Sequence, residues 1–184
     1  MSQTTLFCLI GPSGAGKDAL LAYAREHLTG SENIVFSHRY ITRPSQEEGE
    51  NHIALTQAEF DQRQQLGLFA LSWQSHQFAY GIGVEIDAWL QAGAHVVING
   101  SREYLPQASQ RYPQMRVILL EVNSDAIRQR LVERGRETAQ EIDARIAHNQ
   151  QLPPVEHPHL YVLNNDSSLA EAGVKLMALL KGGD

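Results

Sequence analysis

The residues best able to do chemistry stand together near the start of the chain: Gly11-Pro12-Ser13-Gly14-Ala15-Gly16-Lys17-Asp18. Their spacing is G-x-x-x-x-G-K. An apolar run, Thr5–Ile10, comes directly before, and a helical pattern directly after. Glycines at these places let the backbone curl until several amide N–H groups aim at one centre. The helix N-terminus adds its positive end. Lys17 supplies a mobile full charge for the outer phosphates of a nucleotide. Gly11, Pro12, Ser13, Gly14, Ala15, Gly16 and Lys17 are therefore expected to hold a triphosphate. A plain glycine-rich turn with an exposed lysine would need neither flanking element. Asp18 stands where Ser or Thr is usual. As a hard oxygen ligand it is expected to bind Mg2+, directly or through water, and helix capping is the alternative. An acid this close to a triphosphate is repelled unless a cation compensates it.

Two sets of arginines stand elsewhere. The first lies in His38-Arg39-Tyr40-Ile41-Thr42-Arg43, just after the apolar run Asn33–Ser37. In a parallel sheet this is the carboxyl edge, the same edge as the glycine loop. Arg39 and Arg43 are thus candidates to hold an anionic substrate, against the plainer reading of a solvated loop. The second set is Arg128, Arg130, Arg134, Arg136 and Arg145. Arg130 and Arg134 are four apart and share a helix face. Gly135 then breaks the helix, and another opens near Thr138 and carries Arg145. Phosphoryl transfer needs positive groups, a metal and the exclusion of water. A hairpin of this kind, about residues 134–150, suits a lid. Arg134 and Arg145 are read as its working residues. Arg128 and Arg130 are read as a solvated face beside Glu133, Glu137 and Glu141. Asn99-Gly100-Ser101-Arg102 follows a third apolar run. It either contacts an acceptor or is only a turn and a cap.

The elements that must position these groups are also legible. Thr5–Ile10, Asn33–Ser37, His95–Asn99, Val117–Val122 and Leu160–Leu163 are of strand length and apolar on consecutive positions. That pattern fits strands buried on both faces. Thr56 precedes Glu59, Thr138 precedes Glu141 and Ser168 precedes Glu171, each at capping-box spacing. Strands alternating with helices predict an α/β fold, a parallel sheet with helices on both faces. Residues from about 40 to 80 break the alternation. A polar loop, a short helix and two short strands are expected there, as an acceptor-binding insertion within a single domain spanning 1–184.

Composition excludes other classes. The 184 residues are 42% hydrophobic and 20% charged, with a net charge of −6. That gives a real core and argues against nucleic-acid binding by broad attraction. No apolar run approaches the ~20 residues that span a bilayer. The single cysteine, Cys8, lies in an apolar run and is expected to be a core residue of a reduced, cytoplasmic protein. A zinc site is not expected with one cysteine and scattered histidines. A homodimer is compatible with the sequence, which does not fix the oligomeric state.

In order and spacing, Gly11 to Lys17, Thr42-Arg43-Pro44, Gly49-Glu50, Tyr80-Gly81, Arg130-Leu131, Glu133-Arg134-Gly135, Arg145 and Asn165-Asp166 resemble the guanylate kinases over nearly the whole chain. The departures are informative. The stretch Ser72–Tyr80 holds no acid to read a guanine edge, Ile82 follows the Tyr-Gly pair where a hydroxyl residue is expected, and Asn99 replaces an aspartate. Guanine's donors would stay unpaired, at about 1–3 kcal/mol for each buried group. Long blocks are closer to the ribose 1,5-bisphosphate phosphokinases: Gly16-Lys17-Asp18, residues 38–43, 50–55, 70–73 and 80–87, and Val97–Arg102. This resemblance implies a P-loop kinase using ATP and Mg2+ on a sugar bisphosphate. It would phosphorylate the 1-phosphate of ribose 1,5-bisphosphate, giving 5-phosphoribosyl 1-diphosphate and ADP, in phosphonate breakdown. It further implies that Lys17, Arg134 and Arg145 are catalytic and that Asn165 lies near adenine. Arg39 and Arg43 would hold one acceptor phosphate, Arg102 with His38 or His52 the other, and Tyr80 would line the acceptor side. Rival expectations are a nucleoside-monophosphate kinase of altered specificity and a binding module for phosphorylated peptides.

Overall fold

Runs of consecutive apolar residues become the centre of a sheet that is covered on both sides. The computed structural model describes residues 3–12, 14–28, 30, 32–45 and 50–182. In chain order the elements are β1 (Leu6–Ile10), α1 (Lys17–His27), β2 (Ile34–Phe36), β3 (Tyr40–Ile41), β4 (Ile53–Ala54), α2 (Gln57–Gln65), β5 (Phe69–Ser75) and β6 (Phe78–Gly83). They continue with α3 (Glu85–Gln91), β7 (His95–Asn99), α4 (Leu105–Arg111), β8 (Arg116–Glu121), α5 (Ser124–Arg134), α6 (Ala139–Gln151), β9 (Leu160–Asn164) and α7 (Leu169–Leu180).

The main sheet has the order β2-β7-β1-β8-β9, and every pairing in it is parallel. Successive side chains of β1 point to opposite faces. Leu6, Cys8 and Ile10 pack with Val96, Ile98, Val117 and Leu119 on one side, against α3, α4 and a second sheet. Phe7 and Leu9 pack with Val97, Ile118 and Leu120 on the other, against α1 and α7. This is the expected α/β architecture. Among the described residues no helix is long and apolar enough to cross a membrane.

The helix starts follow their local chemistry. Thr56 and Thr138 each form a reciprocal capping box with the glutamate three residues on. Ser168 accepts from Glu171 N without the return bond. Asn123 caps α5, its Oδ1 accepting from Ala126 N at 2.8 Å.

Residues 40–83 hold more strand than the sequence suggests. The second sheet has four strands in the order β4-β3-β6-β5, where two were expected. β3 and β4 are two residues each, too short to show a period. Their partners supply what they lack: Tyr40 and Ile41 pair with Gly81 and Tyr80, and with Ile53 and Ala54. Across β5 and β6, Trp73 stacks on Tyr80 with centroids 5.7 Å apart and planes within 5°. Pairing and stacking of this kind are worth several tenths of a kcal/mol and more.

Gly100 closes β7 against β1. Its N–H donates to Leu9 O at 2.9 Å, and a Cβ there would stand 2.4 Å from Cys8 Sγ. Burial pushes that thiol up to about 12. Gly100→Ala should therefore lower stability by about 1–3 kcal/mol, the usual cost of overpacking. Urea denaturation checks this, and Cys8→Ala in the same chain should recover part of the loss.

Candidate functional site: a phosphate loop facing an arginine cluster

The carboxyl ends of β1, β7 and β9 bring the glycine loop, Asn99 and Asn165 to one edge. The loop curls after β1, with Ala15 N donating to Pro12 O at 3.1 Å. Gly16 caps α1 at φ +90°, in the left-handed region. Only glycine takes that conformation without strain, and a Cβ would also meet Asn165 Nδ2 at 2.9 Å. Lys17 folds back along the loop, its Nζ donating to Gly11 O at 2.6 Å. Burial, reinforced by the Arg39 charge, lowers its pKa to about 8, while Asp18 and Glu50 pull the other way. Ser13, expected to line the loop, lies outside the described residues, as does Gly49.

Asp18 faces solvent, yet enough protein surrounds its carboxyl to raise its pKa. Glu50 adds to the rise, and Arg39, Lys17 and Arg43 oppose it. Asn99 is buried and donates through Nδ2 to Asp18 Oδ1 at 3.1 Å. Its Oδ1 has no partner among the described residues. A buried polar atom left unpaired points to a ligand or water.

Beside the loop stands the first arginine set. Arg39 donates through Nε to Glu50 Oε1 at 2.5 Å and through Nη2 to Glu50 Oε2. Its guanidinium lies 5.0 Å from the centroid of Tyr80. Arg43 Nη2 stands 3.7 Å from Glu50 Oε2, and its Nε is buried with no partner among the described residues. Arg39, Arg43 and Tyr80 are thus brought together.

Two expected members do not join this cluster. His52 is buried, with Nε2 2.8 Å from Arg43 O and Nδ1 3.3 Å from Glu50 O. Both ring nitrogens face main-chain oxygens, so His52 braces the segment that carries Arg43 and Glu50 rather than presenting a donor to substrate. Arg102 turns away. Its Nη2 donates to Pro153 O, and it lines a separate cavity of about 540 Å³ between α4 and residues 152–158. The pairing of Arg102 with His52 on a second phosphate is therefore not what the fold assembles.

The second arginine set divides differently from the sequence reading. Arg128 pairs with Asp143 on an exposed face, at 2.6 Å. Arg130, expected to be solvated, reaches the loop: Nη1 donates to Ala15 O at 3.3 Å and Nη2 to Asn165 O at 2.5 Å. Asn165 Nδ2 donates to the same Ala15 O at 2.7 Å, and the residue is 4% exposed. The side chain that the resemblance places near adenine is thus buried under the loop, which it holds from below. Arg130 was discoverable, because it shares its helix face with Arg134. Arg134 donates to Glu137 Oε1, and Arg145 Nη2 stands 3.3 Å from the same oxygen. Glu137 Oε2 is buried with no partner among the described residues. Glu50 and Glu137 each join two arginines; the sequence marks Glu50 only within a resembling block and Glu137 only beside a solvated face, so neither is assigned a role at the site there.

No protein-family model matches the chain. Solved structures share its fold: a guanylate kinase from Anaplasma phagocytophilum at TM-score 0.68 and 16% identity, covering 98% of this chain and 86% of that one. A sugar kinase from a Janibacter species follows at TM-score 0.52 and 18% identity, covering 96% and 94%. Relatives in sequence are nearer. A ribose 1,5-bisphosphate phosphokinase PhnN of Thiobacillus denitrificans is 52% identical over 186 residues, 100% of this chain and 96% of that protein. Those of Burkholderia pseudomallei and Psychromonas ingrahamii are 52% and 48% identical, covering 99% and 98% of this chain and 98% and 91% of theirs. At this identity, sustained from end to end, the chain belongs to the ribose 1,5-bisphosphate phosphokinase family, built on a guanylate-kinase-like P-loop fold.

Proposed function

We propose that the chain transfers the γ-phosphoryl group of ATP to the 1-phosphate of ribose 1,5-bisphosphate, giving 5-phosphoribosyl 1-diphosphate and ADP, in phosphonate breakdown. The observation that carries the reading is the juxtaposition of Lys17 with Arg39, Arg43 and Glu50. These groups lie close enough to shift the protonation of Lys17 and Asp18. In this reading the loop cradles the nucleotide's phosphates and the arginine cluster cradles the acceptor's. The attacking atom is a phosphate oxygen, already anionic at neutral pH, so the reaction asks for positioning and charge balance rather than a base. The segment Ser72–Ala79 offers no carboxylate to a nucleobase, which favours a sugar acceptor.

The main-chain N–H groups of Gly11, Ser13, Gly14, Ala15 and Gly16 would cradle the nucleotide's phosphates, with Pro12, which has no N–H, shaping the turn and Lys17 on the outer oxygens. Arg130 and Asn165 would hold the loop open for them. Residues of about 134–150 would form the lid, with Arg134 and Arg145 exchanging Glu137 for phosphoryl oxygens. The acceptor side would be the insertion of about 40–80, where Arg43 and Arg39 meet the 1-phosphate and Tyr80 backs Arg39. A compartment that supplies ATP, the cytoplasm, suits this chemistry.

The residues fit Mg2+. Burial holds the Asp18 carboxyl above its ordinary value, with Glu50 adding to the rise, and Asn99 Oδ1 beside it has no partner among the described residues. Among the described residues no group of three His, Cys, Asp or Glu could cage a metal. That suits an ion held by one carboxylate, waters and substrate phosphates. Bound there, Mg2+ would neutralise charge on the nucleotide's phosphates. Asp18 would hold it, and Asn99 would orient Asp18.

A coupled assay of ADP release should show turnover with ribose 1,5-bisphosphate and little with GMP. Turnover with GMP alone removes the reading. Lys17→Ala should lower kcat by about 100-fold or more with the fold kept. The pH dependence has a defined sign. A lysine at about 8 must be protonated to grip phosphate, and bound phosphate raises its pKa. Nucleotide affinity should therefore hold below about pH 8 and weaken above it, by up to about tenfold per pH unit. Calorimetric titration in buffers of different ionisation enthalpy should register proton uptake near pH 8, which Lys17→Ala abolishes.

A further inference from the structure

Glu50 has a capacity that holding Arg39 does not use. A carboxylate offers about four lone-pair sites. Arg39 fills two, one on each oxygen. Arg43 approaches a third from 3.7 Å, too far for a hydrogen bond. The Glu50 side chain is 10% exposed and lies near Lys17 and Asp18. It can still accept from a neutral donor there.

Beside it, Arg43 Nε is a buried N–H with no acceptor among the described residues. The cluster therefore offers an unused donor and an unused anionic acceptor side by side. An unaccompanied phosphate suits only the first, since its oxygens are repelled by Glu50. A group carrying a phosphate next to a hydroxyl suits both. In a sugar 1-phosphate the 2-hydroxyl occupies that place.

Resting on the kinase reading above, we propose that Glu50 is the specificity-determining residue for the acceptor, accepting a hydrogen bond from the sugar hydroxyl adjacent to the phosphate that Arg43 holds. Tyr80 and Trp73 keep Arg39 in line, and Arg39 keeps the Glu50 carboxylate turned so that its remaining lone pairs stay available.

The experiment compares kcat/KM for ribose 1,5-bisphosphate and 2-deoxyribose 1,5-bisphosphate in the full chain. A site built to bind a substrate hydroxyl rejects the analogue that lacks it strongly. The unaltered protein should prefer the hydroxylated acceptor by about 100-fold or more. Glu50→Ala, which removes both acceptor oxygens and also loosens Arg39, should bring the ratio to within about tenfold of unity. Glu50→Asp keeps the charge and shortens the reach. It should lower the ratio by about tenfold or more, with thermal melting showing that the variant is folded. A ratio near unity in the unaltered protein overturns the proposal and leaves the kinase reading standing. So does a loss in both variants that is equal for the two acceptors, because Glu50 would then only hold Arg39. Turnover of neither acceptor overturns the kinase reading and this proposal together.

Discussion

Cations gathered at one edge of a sheet repel one another, and each is held here by an oxygen of the chain itself. Lys17 leans on Gly11 O, Arg39 on Glu50, Arg130 on Ala15 O and Asn165 O, and Arg134 and Arg145 on Glu137. These bonds hold positive charge in a partly buried place, where an uncompensated ion would cost several kcal/mol. They also orient it. A guanidinium pinned through two nitrogens leaves the third pointing along a fixed direction. The rest of the architecture brings the oxygens and the cations to one edge.

The parallel sheet does that positioning. Because β1, β7, β8 and β9 run the same way, their carboxyl ends deliver the loop, Asn99 and Asn165 side by side. The second sheet then hangs the Arg39–Arg43 segment off β3, so its register on β6 sets where Arg39 meets Tyr80. A slip of one residue in that pairing would turn Arg39 to the other face. The narrow clearances at Gly16, over Asn165, and at Gly100, over Cys8, show how little slack remains under the loop.

The two half-buried glutamates explain why the arginine sets differ in sequence yet work alike. Each joins two guanidiniums from separate positions. Arg39 and Arg43 leave the same strand region, and Glu50 returns to them across the β3–β4 pair. Arg134 ends α5, Arg145 lies within α6, and Glu137 sits in the turn between them. In both places one acid joins guanidiniums from two positions of the chain.

The sequence by itself determined what depends on neighbours in the chain. The central strands β1, β7 and β8 appear as apolar runs because burial on both faces leaves few polar positions, and the edge strands β2 and β9 carry a like pattern though only partly covered. The glycine loop appears because left-handed backbone admits little else. The paired Thr and Glu residues mark helix starts because the cap closes over a single turn. Tertiary structure alone decided what depends on residues far apart. Arg130 reaches a loop 115 positions away, Asn165 a carbonyl 150 positions away, and β3 and β4 exist only through their partners. Arg102 and His52 have the right chemistry for a phosphate, but backbone carbonyls take their donors first. Spacing along a chain records which groups can lie on one helix face or one strand, whereas the choice among competing hydrogen-bond partners is made only when the folded backbone brings its oxygens within reach.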